Sequence, residues 1–310
     1  MARKSLGAVL PSWGQDHPES KVSLKVPLAD QVTFKVGGLA KALVEVGNEA
    51  DLEDLLALVR KNNWRYFLLG GGSNVLFDDK GFDGLVIRLG GQFTISQIQG
   101  ATLNVGAGAK TPAIVKLAQD NGLTGLEHLF GLPGTIGGAV FGNAGSQKGA
   151  ICQVLTGLRI MEPDGLFSDL TEEDFEFGYR RLKLKAPKPI IVSAQLSLAK
   201  DSVTSIVKRS QEIAYIRKKQ PKGPNAGCIF KNPVFEGRQI SAGFLIEMTG
   251  LKGFALGGAM ISPEHANFIV NVNKASSLDI ILLMEEMRRK VFDRFGLELE
   301  PEIRLPSWRD

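Results

Sequence analysis

The chain has too few cysteines for a disulfide framework: Cys152 and Cys228 are the only two in 310 residues. That fits a reducing compartment, and a cytoplasmic protein is expected. The three histidines, His17, His128 and His265, lie far apart without an HxxxH or CxxC pair, so no metal site is expected. Aromatic residues are 7% of the chain and do not interleave with its basic runs, which argues against a nucleic-acid partner. No apolar run reaches the roughly 18 residues that cross a bilayer, so membrane insertion is not expected. At the N-terminus, Pro11 and Gly14 interrupt the apolar stretch, and residues 1–20 read as a flexible leader or a short docking arm rather than a signal peptide.

Glycine is abundant and unevenly placed. There are 36, and the run "GLEHLFGLPGTIGGAVFGNAGSQKG" (125–149) holds eight of them. The first of the two clusters, earlier in the chain, follows an apolar strand in "FLLGGGSNVLF" (67–77). Grouped glycines let a backbone approach a ligand or another backbone closely. "LGGGSN" is not a Walker loop, because no Lys-Ser or Lys-Thr pair follows. Neither cluster gives GxGxxG with an acidic residue about 20 positions on, so a nicotinamide Rossmann site is not supported. A pyrophosphate against clustered backbone N–H groups and a plain tight turn both remain open for the first cluster. The second reads as a glycine-rich short helix beginning near Thr135, packed on a sheet or against a cofactor. Two such clusters about 60 residues apart favour one large cofactor touched along its length.

The remaining patterns are ordinary. "DLEDLLALVRKNN" (51–63) has helical periodicity, and "GLVIRL", "TLNVGAG", "LTGLRIMEPDG" and "PIIVSAQLSLA" read as strands. Without regular βαβ alternation, an α+β fold is expected. A helix over 201–220 stops at Pro221 and opens a C-terminal α+β domain. "LELEPEIRLP" reads as a last strand, on which Glu302 looks like one more solvated carboxylate. Expected boundaries are 1–20 for the leader, 21–199 in two parts divided near 90, and 200–310. Net charge is +4, with basic clusters at Arg180, Arg181, Lys183, Lys185 and Lys188 and at Arg217, Lys218, Lys219 and Lys222. Each is either a solvated face or a means of capturing a phosphate-bearing small molecule.

Eight segments in order carry a resemblance. They are "TFKVGG" (33–38), "LGGGSNVL" (69–76), "GLPGTIGGAVFGNAG" (131–145), "FGYR" (177–180), "NAGCIFKNP" (225–233), "AGFLIE…GLKG" (242–253), "HANFIVN" (265–271) and "PEIR" (301–304). Over roughly residues 30 to 305 the chain resembles the UDP-N-acetylenolpyruvoylglucosamine reductases, flavoenzymes of peptidoglycan precursor synthesis. The resemblance implies a two-subdomain FAD-binding module of the vanillyl-alcohol-oxidase (PCMH) type, followed by a substrate domain. It implies non-covalent FAD, NADPH as hydride donor and a UDP-sugar as substrate, with a monomer favoured. Carried onto this sequence, it places FAD contacts at Gly70, Gly71, Gly72, Ser73, Asn74, Gly134, Thr135, Gly138 and Ala139. It places substrate contacts at Tyr179, Lys219 and Asn232, and catalytic groups at Arg180, Cys228 and Glu302.

Three departures stand out. The family's proton donor is a serine in Gly-Ser-x-Phe, whereas this chain has Gly227-Cys228-Ile229-Phe230. The arginine motif continues as "YRRLKLK" without the family's serine, and a tyrosine-bearing insertion of one branch is absent. Two other functions compete with the resemblance. One is an alcohol or lactone oxidase with FAD attached through a histidine; neither 69–76 nor 131–145 contains one, although His128 sits just ahead of the latter. The other is a silent nucleotide-binding module, against which the set Arg180, Cys228 and Glu302 argues.

Overall fold

The helix Glu49–Asn62 shows how local sequence becomes structure here. The Asn48 side chain accepts a hydrogen bond from Asp51 N at 2.8 Å, acidic residues occupy the first turn and Arg60 and Lys61 the last. These satisfy the exposed N–H groups and complement the helix dipole. Leu52, Leu55, Leu56 and Val59 form its buried stripe, and Asn63 closes it in the left-handed conformation at φ 51°. A computed structural model describes residues 4–146, 148–185 and 189–307; Lys188, assigned above to a basic cluster, lies outside the described residues.

The fold is α+β. One sheet of four strands has the order 21–27, 39–46, 82–89, 66–68, the last pair parallel. A second, of five antiparallel strands, has the order 167–171, 155–161, 190–197, 102–106, 96–99. Its inner side chains Leu103, Val105, Leu158, Ile160, Ala194 and Leu196 are buried in the main hydrophobic core. A third, three-stranded sheet (255–256, 259–261, 269–271) accompanies the helices Ala242–Met248 and Ser277–Phe295. The longer of these helices starts in a capping box between Ser276 and Asp279 and ends at Gly296 with φ 66°.

The chain forms two compact units, each assembled from separated segments. The first comprises Met1–Leu24, Lys41–Gly71 and Gly84–Lys218; the second comprises Lys25–Ala40, Gly72–Asp83 and Lys219–Asp310. The helix expected to open a C-terminal domain, observed as Val203–Lys218, belongs to the first unit. The reason is its contacts: Ile206, Ser210 and Ile213 are buried, and Arg209 bonds Glu127 Oε1 at 2.9 Å and Thr124 Oγ1 at 2.9 Å.

Two other expectations give way. In place of a flexible leader, Leu6–Asp16 is a helix with Leu6, Leu10 and Trp13 buried. The Trp13 indole donates to Asp54 Oδ2 at 2.7 Å and stacks on His17 with centroids 4.2 Å apart. An interior proline costs a helix about 3 kcal/mol, whereas each large apolar side chain buried returns roughly 1.5–3 kcal/mol, so burial prevails over Pro11. In place of a last strand, residues 297–305 make only isolated bridges, Phe230 with Pro301 and Val75 with Arg304. Pro301 has no N–H to continue a ladder. Among the described residues, no helix is long and apolar enough to cross a membrane.

Candidate active site

In the second unit, four of the motifs form one hydrogen-bonded network. Thr33 N donates to Gly72 O at 3.0 Å, and Thr33 Oγ1 donates to Asn225 O at 2.6 Å. Gly72 is required here: its φ is +67°, and a Cβ would lie 2.2 Å from Gln31 O. Asn74 Nδ2 donates to Glu302 O at 3.1 Å, and Arg304 N donates to Asn74 O at 3.0 Å. Glu302 N in turn donates to Ile229 O at 2.8 Å, and Lys231 N to Glu300 O at 2.9 Å. The segment 228–231 is therefore bonded to 300–302, which places the half-buried Cys228 and Glu302 on adjoining backbone.

Both flanks of Cys228 are fixed. Ahead of it, Gly227 adopts φ +75° while its N–H donates to Asn225 Oδ1 at 2.9 Å, a side-chain turn. Behind it, Ile229 and Phe230 are buried, with exposures of 0% and 1%. The thiol thus sits where a turn gives way to a core anchor. Asn232 Oδ1 accepts from Ala242 N at 3.0 Å, at the start of the helix Ala242–Met248, and Lys219 is exposed.

In the first unit, the two glycine clusters touch. A Cβ on Gly71 would lie 2.5 Å from Gly134 Cα, and one on Gly70 would lie 2.6 Å from Thr135 Oγ1. The short helix Ile136–Phe141 that follows is capped by Thr135 Oγ1, which accepts from Gly138 N at 3.4 Å. Ala139 is buried against the core, while Gly131, Pro133 and Gly138 are exposed. A Cβ at Gly138 would meet only Thr135 Oγ1 at 3.5 Å, so backbone on this face is open to a ligand. Such a bare surface fits an extended cofactor such as FAD. Ser73 and Asn74, the last residues of the first glycine run, fall in the second unit.

Tyr179 and Arg180 are the two turn residues of the hairpin 175–178/181–184, in which Gly178 pairs with Arg181. Arg180 has φ +54°, a conformation that costs a non-glycine residue about 1–2 kcal/mol. Its guanidinium lies over the Tyr179 ring, 5.4 Å from the centroid. The hairpin is held from the second glycine cluster: Asn143 is buried at φ +41° and its Nδ2 donates to Gly178 O at 3.0 Å, while Oδ1 accepts from Cys152 N at 3.3 Å. Two lysines of the basic run beside it are taken by surface pairs, Lys183 with Glu176 at 2.9 Å and Lys185 with Asp174 at 3.4 Å.

Sequence reasoning missed a buried polar group beside this cluster. Burial alone would raise the Glu127 pKa. Hydrogen bonds from Thr124 Oγ1, Gly125 N and Arg209 hold it below the usual value instead. His128 is 5% exposed, and its Nε2 has no hydrogen-bond partner. Desolvation pushes its pKa down to about 4, with Glu127 opposing and Arg217 assisting. Arg217 Nη2 donates to His128 O at 3.3 Å. Between pH ~4 and ~6.5 the unfolded chain binds a proton at this imidazole that the folded chain does not, so stability falls as pH drops through 6.5. At 1.36 kcal/mol per tenfold change in proton affinity, the loss from pH ~7 to pH ~5 is about 2 kcal/mol. Urea unfolding at the two pH values measures it, and His128→Phe should flatten the difference.

Residues 219–306 match the C-terminal domain of UDP-N-acetylenolpyruvoylglucosamine reductase, and residues 40–171 match the FAD binding domain. UDP-N-acetylenolpyruvoylglucosamine reductase 1 of Bacillus anthracis is 36% identical over 92% of this chain and 94% of its own length. The reductase of Heliobacterium modesticaldum is 36% identical over 90% of this chain and 88% of its own. The crystal structure of UDP-N-acetylenolpyruvylglucosamine reductase from Thermus caldophilus is 39% identical, with a TM-score of 0.78 over 92% of this chain and 98% of that one.

Proposed function

Because the chain belongs to the UDP-N-acetylenolpyruvoylglucosamine reductase family, we propose that it is an NADPH-dependent reductase of UDP-N-acetylglucosamine enolpyruvate in which Cys228 is the proton donor. The observation that carries the reading is the 2.8 Å bond from Glu302 N to Ile229 O, which puts the Cys228 and Glu302 segments on adjoining backbone. In this reading the matched region 40–171 carries the flavin and the matched region 219–306 the substrate, with the helix Val203–Lys218 in the first unit. A water-soluble UDP-sugar substrate suits a cytoplasmic enzyme.

Hydride relay between the two substrates is the chemistry that FAD supplies when bound. Gly70, Gly71, Gly72, Ser73 and Asn74 would hold its pyrophosphate, and Gly134, Thr135, Gly138 and Ala139 would line its second contact. Tyr179 and Arg180 serve the enolpyruvyl carboxylate. The Arg180 guanidinium stabilises the negative charge that builds as hydride adds. Lys219 and Asn232 contact the phosphates or the sugar. Cys228 completes the reduction: its S–H bond breaks, a C–H bond forms at the carbon next to the one that received hydride, and the electron pair stays on sulfur. Glu302 polarises the reacting group, and solvent restores the thiol proton. The test is NADPH oxidation by the holoenzyme with and without UDP-N-acetylglucosamine enolpyruvate. Strong stimulation by that substrate is expected; its absence would overturn the reading.

A further inference from the structure

Asn267 is 2% exposed, and every polar group of its side chain and backbone serves one neighbouring segment or fixes itself. Its carboxamide grips both sides of one peptide unit's residue: Oδ1 accepts from Phe230 N at 3.0 Å, and Nδ2 donates to Phe230 O at 2.8 Å. Its backbone carbonyl accepts from Ile229 N at 2.8 Å. Its own N–H donates to His265 Nδ1 at 3.2 Å, so the ring is in the tautomer with a bare Nδ1. Burial, the first cause, keeps His265 below its ordinary pKa and therefore neutral at physiological pH. Three hydrogen bonds thus fasten the two residues that follow Cys228 to a single buried side chain and its backbone.

The side chain touches neither the thiol nor Glu302 in this network; it acts through backbone. Ile229, whose N–H is held by Asn267, is the residue whose carbonyl accepts from Glu302 N. A shift of Phe230 would move the Cys228 Cα–Cβ direction and the Cys228–Glu302 relation together. We propose that Asn267 is the positioning residue for Cys228, fixing the direction in which the thiol is presented. This rests on the proton-donor reading for its catalytic consequence, but not for its geometric one.

The experiment has two arms. In stopped flow, Asn267→Ala holoenzyme should be reduced by NADPH at the unmodified rate, while reoxidation by the enolpyruvyl substrate slows about 100-fold, the cost of a small misplacement of a reacting group. Added to Cys228→Ala, the same change should cause no further loss. Additive losses, or equal losses in both half-reactions, would overturn the proposal. Asn267→Asp keeps the shape and covers a poorly folding alanine variant. Its carboxylate faces Phe230 O, so reoxidation should recover as pH is lowered and the carboxyl regains a donor. The second arm measures iodoacetamide alkylation of Cys228 in a Cys152→Ser background, and Asn267→Ala should change that rate at least about 10-fold. An unchanged rate overturns the positioning role. Normal reoxidation in Cys228→Ala sinks the donor reading alone, and alkylation still decides the role of Asn267.

Discussion

Cys228→Ala should leave NADPH reduction of the bound flavin intact and slow its reoxidation by the enolpyruvyl substrate about 10²- to 10⁴-fold, the usual worth of a positioned general acid. The two half-reactions separate the causes. A folding or flavin-binding defect would lower both, whereas a missing proton affects only the step in which carbon is protonated. Cys228→Ser should retain much of the activity, since a hydroxyl fills the same turn and has a proton to give. A free thiol has a reference pKa of ~8.5 and is a stronger acid than an alcohol. The cysteine enzyme should therefore lose turnover at alkaline pH as the thiol ionises, and Cys228→Ser should not. Stopped-flow flavin absorbance with each substrate in turn is the measurement, and normal reoxidation in Cys228→Ala would refute the donor role.

Gly71→Ala should cost the protein its flavin. The added methyl would stand 2.5 Å from Gly134 Cα and 3.0 Å from Gly134 C. The obstacle is backbone, so neither partner can rotate away, and one glycine cluster must move off the other. Overpacking of this kind costs about 1–3 kcal/mol or more, and here it falls on the surface that would meet the cofactor. The comparison is Gly100→Ala: φ is +66° there too, but nothing lies within 4 Å of the added carbon. Only the left-handed backbone preference of about 1–2 kcal/mol is lost in that case. Flavin content after purification and thermal unfolding of the two variants give the answer. Equal flavin retention would show that the contact between the clusters does not matter.

Much of this was legible beforehand because it is local. The stripe of Leu52, Leu55, Leu56 and Val59 announces a helix, and the three inner strands of the five-stranded sheet, 155–161, 190–197 and 102–106, coincide with apolar runs, whereas its edge strands 167–171 and 96–99 do not. The α+β fold and the FAD-binding module agree with the resemblance carried by the eight motifs. The misses were all decided by partners distant in sequence. Nothing near Pro11 tells that Trp13 will find Asp54, 41 residues on. Nothing in "LELEPEIRLP" tells that its backbone will bond to Ile229 and Asn74 instead of to a neighbouring strand. Asn143 and Asn267 look like loop polars, yet each is buried and grips backbone far along the chain. A helix or strand repeats a pattern that can be read, whereas a side chain holding a remote carbonyl leaves none.

The second unit draws residues 25–40 and 72–83 from the early part of the chain and the rest from beyond 218. Its bonds Thr33–Asn225 and Asn74–Glu302 join residues 192 and 228 positions apart. During synthesis, these two early segments must leave the ribosome and wait, without their partners, until residues 225 and 302 are made. Non-local closure of this kind is slow and leaves apolar segments such as Val75–Phe77 uncovered in the interval. The arrangement that joins the Cys228 and Glu302 segments thus waits for residue 302, and a nascent chain halted short of residue 300 would have neither the anchor for Asn74 nor Glu302 itself.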